Sequence, residues 1–201
     1  SLFTKVVGVK YPIIAGPMFL VSDTKLVIAA SESGVLGAYP ALNYRPPEKF
    51  HLSLQEIKRY TQKPFAVNII THQSNHYQDQ QIEYSVQEKV PVYISSLGSP
   101  KTLIQKAHTY GAKVFCDVIT IEHAKKVLDL GADGLIVVVR GAGGHHGKFN
   151  PFVFLQVLRK LTEKPLILAG GIATGKAMLA ARVLGADAVQ MGTRFIASKE
   201  C

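Results

Sequence analysis

The residues able to do chemistry gather in a few short stretches of this 201-residue chain. In Arg140-Gly141-Ala142-Gly143-Gly144-His145-His146-Gly147, closely spaced glycines run into two histidines. Glycines let a backbone approach a flat or anionic ligand, and a histidine among them can serve as a general base at neutral pH. The plainer reading is a loop with two solvated histidines. Position favours catalysis, because the stretch leaves an apolar strand run where other polar residues also collect. Leu168-Ala169-Gly170-Gly171-Ile172-Ala173-Thr174 and Gln190-Met191-Gly192-Thr193 close two further strand runs with glycines. Main-chain N–H groups there could converge on a phosphate, the alternative being simple tight turns. Gly16-Pro17-Met18, Tyr39 to Asn43, Asn68, Ser95-Ser96 and Asp117 end the remaining runs.

Other patterns are weaker. Gly170 to Lys176 fits G-x-x-x-x-G-K, but Ala177 replaces the Ser or Thr whose hydroxyl would bind Mg²⁺, so nucleoside triphosphate chemistry is not expected. Gly141-x-Gly143 lacks the third glycine of a dinucleotide fingerprint, since position 146 is histidine. His72 and His76 have the i, i+4 spacing of a helical metal pair, but no Cys or carboxylate motif completes a ligand set. No metal is expected.

The positioning elements follow from periodicity. Short, nearly all-apolar runs are expected as strands at Ile13–Ala15, Val35–Tyr39, Phe65–Ile70, Val92–Ser95, Lys113–Asp117, Gly134–Val139, Leu166–Ala169 and Ala188–Met191. Helical patterns lie near Thr24–Ser33, Leu52–Thr61, Tyr77–Glu88, Pro100–Tyr110, Ile121–Leu130, Pro151–Leu161 and Thr174–Leu184. Gly111-Ala112-Lys113, Gly131-Ala132-Asp133 and Gly185-Ala186-Asp187 each end a helix and introduce a strand, with glycine in the left-handed C′ position. Strands and helices alternating in this way predict an α/β fold, a single (β/α)₈ TIM-barrel domain over residues 1–201, with a doubly wound open sheet as the alternative. In such a barrel the loops after the strands form the functional face. The chain stops ten residues after the last strand run. The C-terminal part, the last helix and beyond, is therefore expected to be absent, leaving an apolar stripe uncovered.

Composition narrows the function classes. A content of 47% hydrophobic and 18% charged residues is that of a folded globular chain, not a disordered one. The formal charge of +9 comes from scattered lysines and arginines, without a basic block or interleaved aromatics. That pattern suits attraction of anionic ligands better than nucleic-acid binding. No apolar run reaches bilayer length, and the N-terminus lacks a signal-peptide pattern. Cys116 and Cys201 make no disulfide framework, so a cytoplasmic location is expected.

Pro12-Ile13-Ile14-Ala15-Gly16-Pro17-Met18, Val67-Asn68, Ala142-Gly143-Gly144-His145-x-Gly147, Ala169-Gly170-Gly171-Ile172 and Gly185 to Phe195 together resemble the nitronate monooxygenase (2-nitropropane dioxygenase-like) flavoenzymes. The flavin-dependent enoyl-acyl-carrier-protein reductases are similar relatives. The resemblance runs the length of the chain in order. It implies FMN at the barrel mouth, with Met18 lining the flavin and Asn68 hydrogen-bonded to it. It also implies that Gly143, Gly170, Gly171, Gly192 and Thr193 hold the phosphate region, with Gln190 and Met191 in the same loop. His145 matches the family's catalytic histidine. The implied partners are a nitronate or nitroalkane and O₂, with no nucleic acid or membrane and with room for a homo-oligomer. Val138 and Gly141 depart from the pattern, standing where many members carry Gln and Glu. The alternatives are an NAD(P)H-dependent enoyl reductase on the same barrel and a non-catalytic phosphate-ligand-binding barrel.

Overall fold

The computed structural model describes residues 1–144 and 146–201. His145, the expected catalytic base, lies outside the described residues. Eight parallel strands close a barrel in chain order: β1 (Ile13–Ala15), β2 (Leu36–Pro40), β3 (Phe65–Ile70), β4 (Val92–Ser96), β5 (Lys113–Val118), β6 (Gly134–Val138), β7 (Leu166–Ala169) and β8 (Ala188–Met191). Closure is made by β1 on β8, with Ala15 opposite Met191. The open-sheet alternative is thereby removed. Every strand has two neighbours, and both strand faces are covered, which is why the runs read as continuously apolar.

Each strand is followed by helical structure: α2 (Thr24–Glu32), α3 (Pro47–Tyr60), α4 (Gln78–Gln87), α5 (Lys101–His108), α6 (Ile121–Asp129), α7 (Pro151–Arg159), α8 (Gly175–Val183) and the short α9 (Thr193–Ile196). Asp23, Thr120, Asn150 and Thr174 cap α2, α6, α7 and α8 with side-chain oxygens. Helix α3 starts five residues before the expected Leu52, at Pro47, where a proline sits in the first turn without losing a helical donor.

Before β1 lies α1 (Leu2–Val7), a helix too short for periodicity to reveal. Its Phe3 is fully buried and meets the Phe115 ring with centroids 5.7 Å apart. Phe3 and Val7 join Ile14, Leu36, Ala66, Val92, Ile94, Phe115, Ile136, Ile167 and Ala188 in the inner core of the barrel. Side chains thus fill the inside and α1 stoppers the N-terminal end, leaving the C-terminal end as the mouth. On the outer surface, Leu179 of α8 is 64% exposed and Val183 80%. No helix among the described residues is long and apolar enough to cross a membrane.

Candidate active site

Strand side chains alternate between the two faces, so the inner core fixes which residues face the mouth. Two residues beyond Ala66, Ile94, Phe115, Ile136, Ile167 and Ala188 come Asn68, Ser96, Asp117, Val138, Ala169 and Gln190. The top inner layer therefore carries polar side chains on β3, β4, β5 and β8, above a layer that is apolar. Asn68 is opposite Ile94, and Asp117 is opposite Ile136.

These polar side chains are linked. Asn68 Nδ2 donates to Ile94 O at 3.0 Å and to Ser96 Oγ at 2.7 Å, and the Ser96 hydroxyl donates to Asp117 Oδ2. Asp117 Oδ1 and Gln190 Oε1 are buried without a hydrogen-bond partner among the described residues. Burial pushes the Asp117 carboxyl up to about 6, and the Ser96 hydrogen bond only partly opposes it. The adjacent Ser95 and Cys116 face outward. Ser95 Oγ bonds Thr71 Oγ1 at 2.9 Å, stapling the β3 and β4 ends, and burial drives the Cys116 thiol far above its usual range.

The loop after β1 is held by short side chains. Met18 N donates to Ser22 Oγ at 2.9 Å, and Asn43 Nδ2 donates to Met18 O at 3.0 Å and Ser22 O at 2.8 Å. Asn43 Oδ1 in turn accepts from Leu20 N at 2.8 Å. Gly16 has no room for a side chain, because a Cβ there would sit 2.9 Å from Gln190 Cγ. Gly192 lies beside Met18, and a Cβ there would be in ordinary contact with the Met18 sulfur at 3.5 Å. Met18, Gln190, Met191 and Gly192 are thereby brought together, with Gly16 N donating to Met191 O at 2.8 Å.

The loops after β6 and β7 abut one another. Gly170, at φ 139°, packs so tightly that a Cβ would lie 2.9 Å from Val139 Cγ2 and 3.0 Å from Ala142 N. Its glycine is required by loop-to-loop contact. By contrast, a Cβ on Gly143 or Gly171 would meet nothing within 4 Å, so these two present open backbone. Arg140 N donates to Phe149 O at 3.1 Å and closes the base of the glycine-rich loop.

The mouth thus assembles the expected Met18, Asn68, Gly143, Gly170, Gly171, Gln190, Gly192 and Thr193 from five strand ends, whereas Met191, next to inward Gln190, turns its side chain outward into the core between strands and helices. Reading the sequence assigned no role to Ser96 or Asp117, although both ended strand runs. No local signal marks them, because only the register of β4 and β5 in the barrel decides which of their end residues face inward. His72 and His76 lie before α4 and not on a helix, with His72 Nδ1 3.0 Å from Ser74 Oγ. Among the described residues, no group of three or more His, Cys, Asp or Glu side chains could hold a metal ion.

Comparison with known proteins gives this architecture a context. The nitronate monooxygenase family model matches residues 1–201. A 5-hydroxy-7a-methyl-1-oxo-octahydro-1H-indene-4-carboxyl-CoA dehydrogenase of Rhodococcus jostii is 33% identical over 100% of this chain and 56% of its own length. The nitronate monooxygenase of Pseudomonas aeruginosa is 29% identical over 98% of this chain and 69% of its own. The solved structure of FabK from Thermotoga maritima superposes with a TM-score of 0.92 at 36% identity, covering 98% of this chain and 62% of that one. The chain thus spans little more than half the length of the dehydrogenase and under two thirds of FabK. The match over the whole chain, together with the barrel and its mouth, shows that this chain belongs to the nitronate monooxygenase family.

Proposed function

We propose that the chain is the barrel of an FMN-dependent monooxygenase that oxidises alkyl nitronates, and nitroalkanes, with O₂ to a carbonyl compound and nitrite. The observation that carries this reading is the convergence on one mouth of the open backbone at Gly143 and Gly171, the Met18–Gly192 contact and the inward amides of Asn68 and Gln190. These residues fit FMN. Open space beside Gly143 and Gly171 suits the close approach of a phosphate to backbone, Met18 offers an apolar contact, and Gln190 Oε1 is a buried acceptor without a donor among the described residues.

Bound FMN would supply the two-electron redox chemistry and the reaction with oxygen. The chain's own part is binding and proton handling. Gly143, Gly170, Gly171, Gly192 and Thr193 would hold the phosphate end, and Met18, Asn68 and Gln190 the ring end. On the family resemblance, the imidazole of His145 takes the α-proton from a neutral nitroalkane or positions a preformed nitronate. The free thiols Cys116, buried, and Cys201, exposed, suit a reducing cytoplasm.

A second reading, a reductase or dehydrogenase acting on an acyl thioester, is favoured by the relative whose substrate is a CoA thioester. The +9 charge would suit the anionic carrier of either thioester. Anaerobic mixing with FMN-loaded protein separates the two. Nitronate or nitroalkane should bleach the flavin of a monooxygenase, and NADH or NADPH that of an enoyl reductase. Bleaching by NAD(P)H alone would replace the first reading with the second. Absence of FMN uptake would remove both.

A further inference from the structure

The chain Asn68–Ser96–Asp117 runs across three adjoining strands at the mouth, and its hydrogen-bond sense is fully determined. Both hydrogens of Asn68 Nδ2 are committed, to Ile94 O and to Ser96 Oγ. The Ile94 main-chain carbonyl can only accept, and with Ser96 accepting as well the amide is held from both sides, leaving the carbonyl Oδ1 as the end Asn68 offers a ligand. The single hydrogen of the Ser96 hydroxyl goes to Asp117 Oδ2. Toward Asn68, Ser96 is therefore an acceptor. Without an acceptor beside it the hydroxyl could rotate and turn its hydrogen toward Asn68; the acceptor oxygen of Asp117 takes that freedom away.

The arrangement is costly for the fold. Asp117 Oδ1 is buried without a partner among the described residues, and a buried carboxyl lacking full hydrogen bonding opposes folding. The inward neighbours on β6 are Ile136 and Val138, and the neighbour on β4 is Ser96. Burial raises the carboxyl's titration and the Ser96 bond partly opposes it. A costly polar group at the mouth, where an apolar residue would pack more cheaply, is the mark of a working part.

We propose that Asp117 is a positioning residue of the ligand site: through the Ser96 hydroxyl it holds Asn68 as a pure hydrogen-bond acceptor, so that this wall of the mouth takes a ligand offering an N–H edge. The inference rests on the FMN reading, in which that edge belongs to the flavin ring. The oxidised ring carries a single N–H, and 3-methyl-FMN lacks it.

The test titrates FMN and 3-methyl-FMN into wild type, Asp117→Ala, Ser96→Ala, the double variant and Asp117→Asn, at several values between pH 5 and pH 8. Wild type should prefer FMN, and Asp117→Ala and Ser96→Ala should each weaken FMN about 5-fold, the worth of one net hydrogen bond, and lose the preference. The double variant should be no worse than either single one, because both act through one path. Asp117→Asn keeps an acceptor oxygen and should restore binding at pH 7, while removing any change in affinity near pH 6. Wild-type affinity and preference in Asp117→Ala, multiplied losses in the double variant, or failure of asparagine to restore binding would each overturn the proposal.

If wild type took up no FMN, the cofactor reading itself would fall, and the flavin half of this inference with it. The relay can be read without flavin, from the infrared carboxyl band that Asp117→Asn removes. Ser96→Ala should move its titration to higher pH, since the Ser96 bond is what holds it down. An unmoved band would mean that the two side chains are not coupled.

Discussion

Replacing Asp117 by asparagine removes a buried charge while keeping the side chain's shape and an acceptor for the Ser96 hydroxyl. The carboxyl titrates at 3.8 when unperturbed and at about 6 in the fold, raised by burial. At about 1.36 kcal/mol per pH unit, that difference corresponds to a penalty on the order of 3 kcal/mol on the ionised folded state. The sign follows from proton counting. Between the two values the folded state binds more protons than the unfolded one, so stability falls as pH rises from about 4 to about 6, and the full penalty applies above that. Asp117→Asn should therefore stabilise the protein at pH 7, by roughly 6–12 °C in Tm for a domain of this size. The gain should shrink steadily and vanish near pH 4, where aspartate is protonated in both states. Thermal unfolding of the flavin-free protein followed by circular dichroism at pH 4, 5, 6 and 7 measures this directly. A gain that is the same at pH 4 and pH 7, or a loss at pH 7, would show that the buried carboxylate is compensated and that the reasoning from burial is wrong.

Other outcomes follow from the same structure. His145→Ala should keep FMN but slow turnover of neutral nitroalkanes by roughly 10²–10⁴-fold, with a smaller effect on preformed nitronates and on either substrate in His146→Ala; steady-state oxygen consumption checks this, and the reverse ranking would move the base to His146. Gly16→Ala should cost about 1–3 kcal/mol in urea unfolding and weaken FMN, because its Cβ would lie 2.9 Å from Gln190 Cγ. Burial alone would raise the Glu88 carboxyl, but hydrogen bonds from Lys58, His51 and Gln55 outweigh it and hold the group below 4.5. Glu88→Gln should therefore destabilise the α3–α4 contact by up to about 1 kcal/mol at pH 6, with the difference disappearing as pH falls below 4.5 through the lowered value, as denaturant unfolding at both ends of that window would show. MgATP should give no saturable heat in calorimetry, since Ala177 supplies no hydroxyl for the metal.

Much of this protein can be read from local patterns. The β-branched runs, the Gly-Ala turns before β5, β6 and β8 and the Pro151 helix start are signals carried by neighbouring residues. They placed the strands within about a residue of their observed bounds and pointed to a barrel with its chemistry on one face. The glycines after β6, β7 and β8 were equally legible as a feature of the strand ends. Tertiary structure decided what depends on residues far apart in the chain. Barrel closure rests on Ala15 finding Met191, the plugging of the lower end on Phe3 meeting Phe115, and the separate duties of the paired glycines on what each one faces, Gly170 a neighbouring loop and Gly171 open space. The Asn68–Ser96–Asp117 relay is of this kind. Its members lie on separate strands, and nothing local distinguishes inward Ser96 from outward Ser95 until the strand's register in the barrel assigns each to a face.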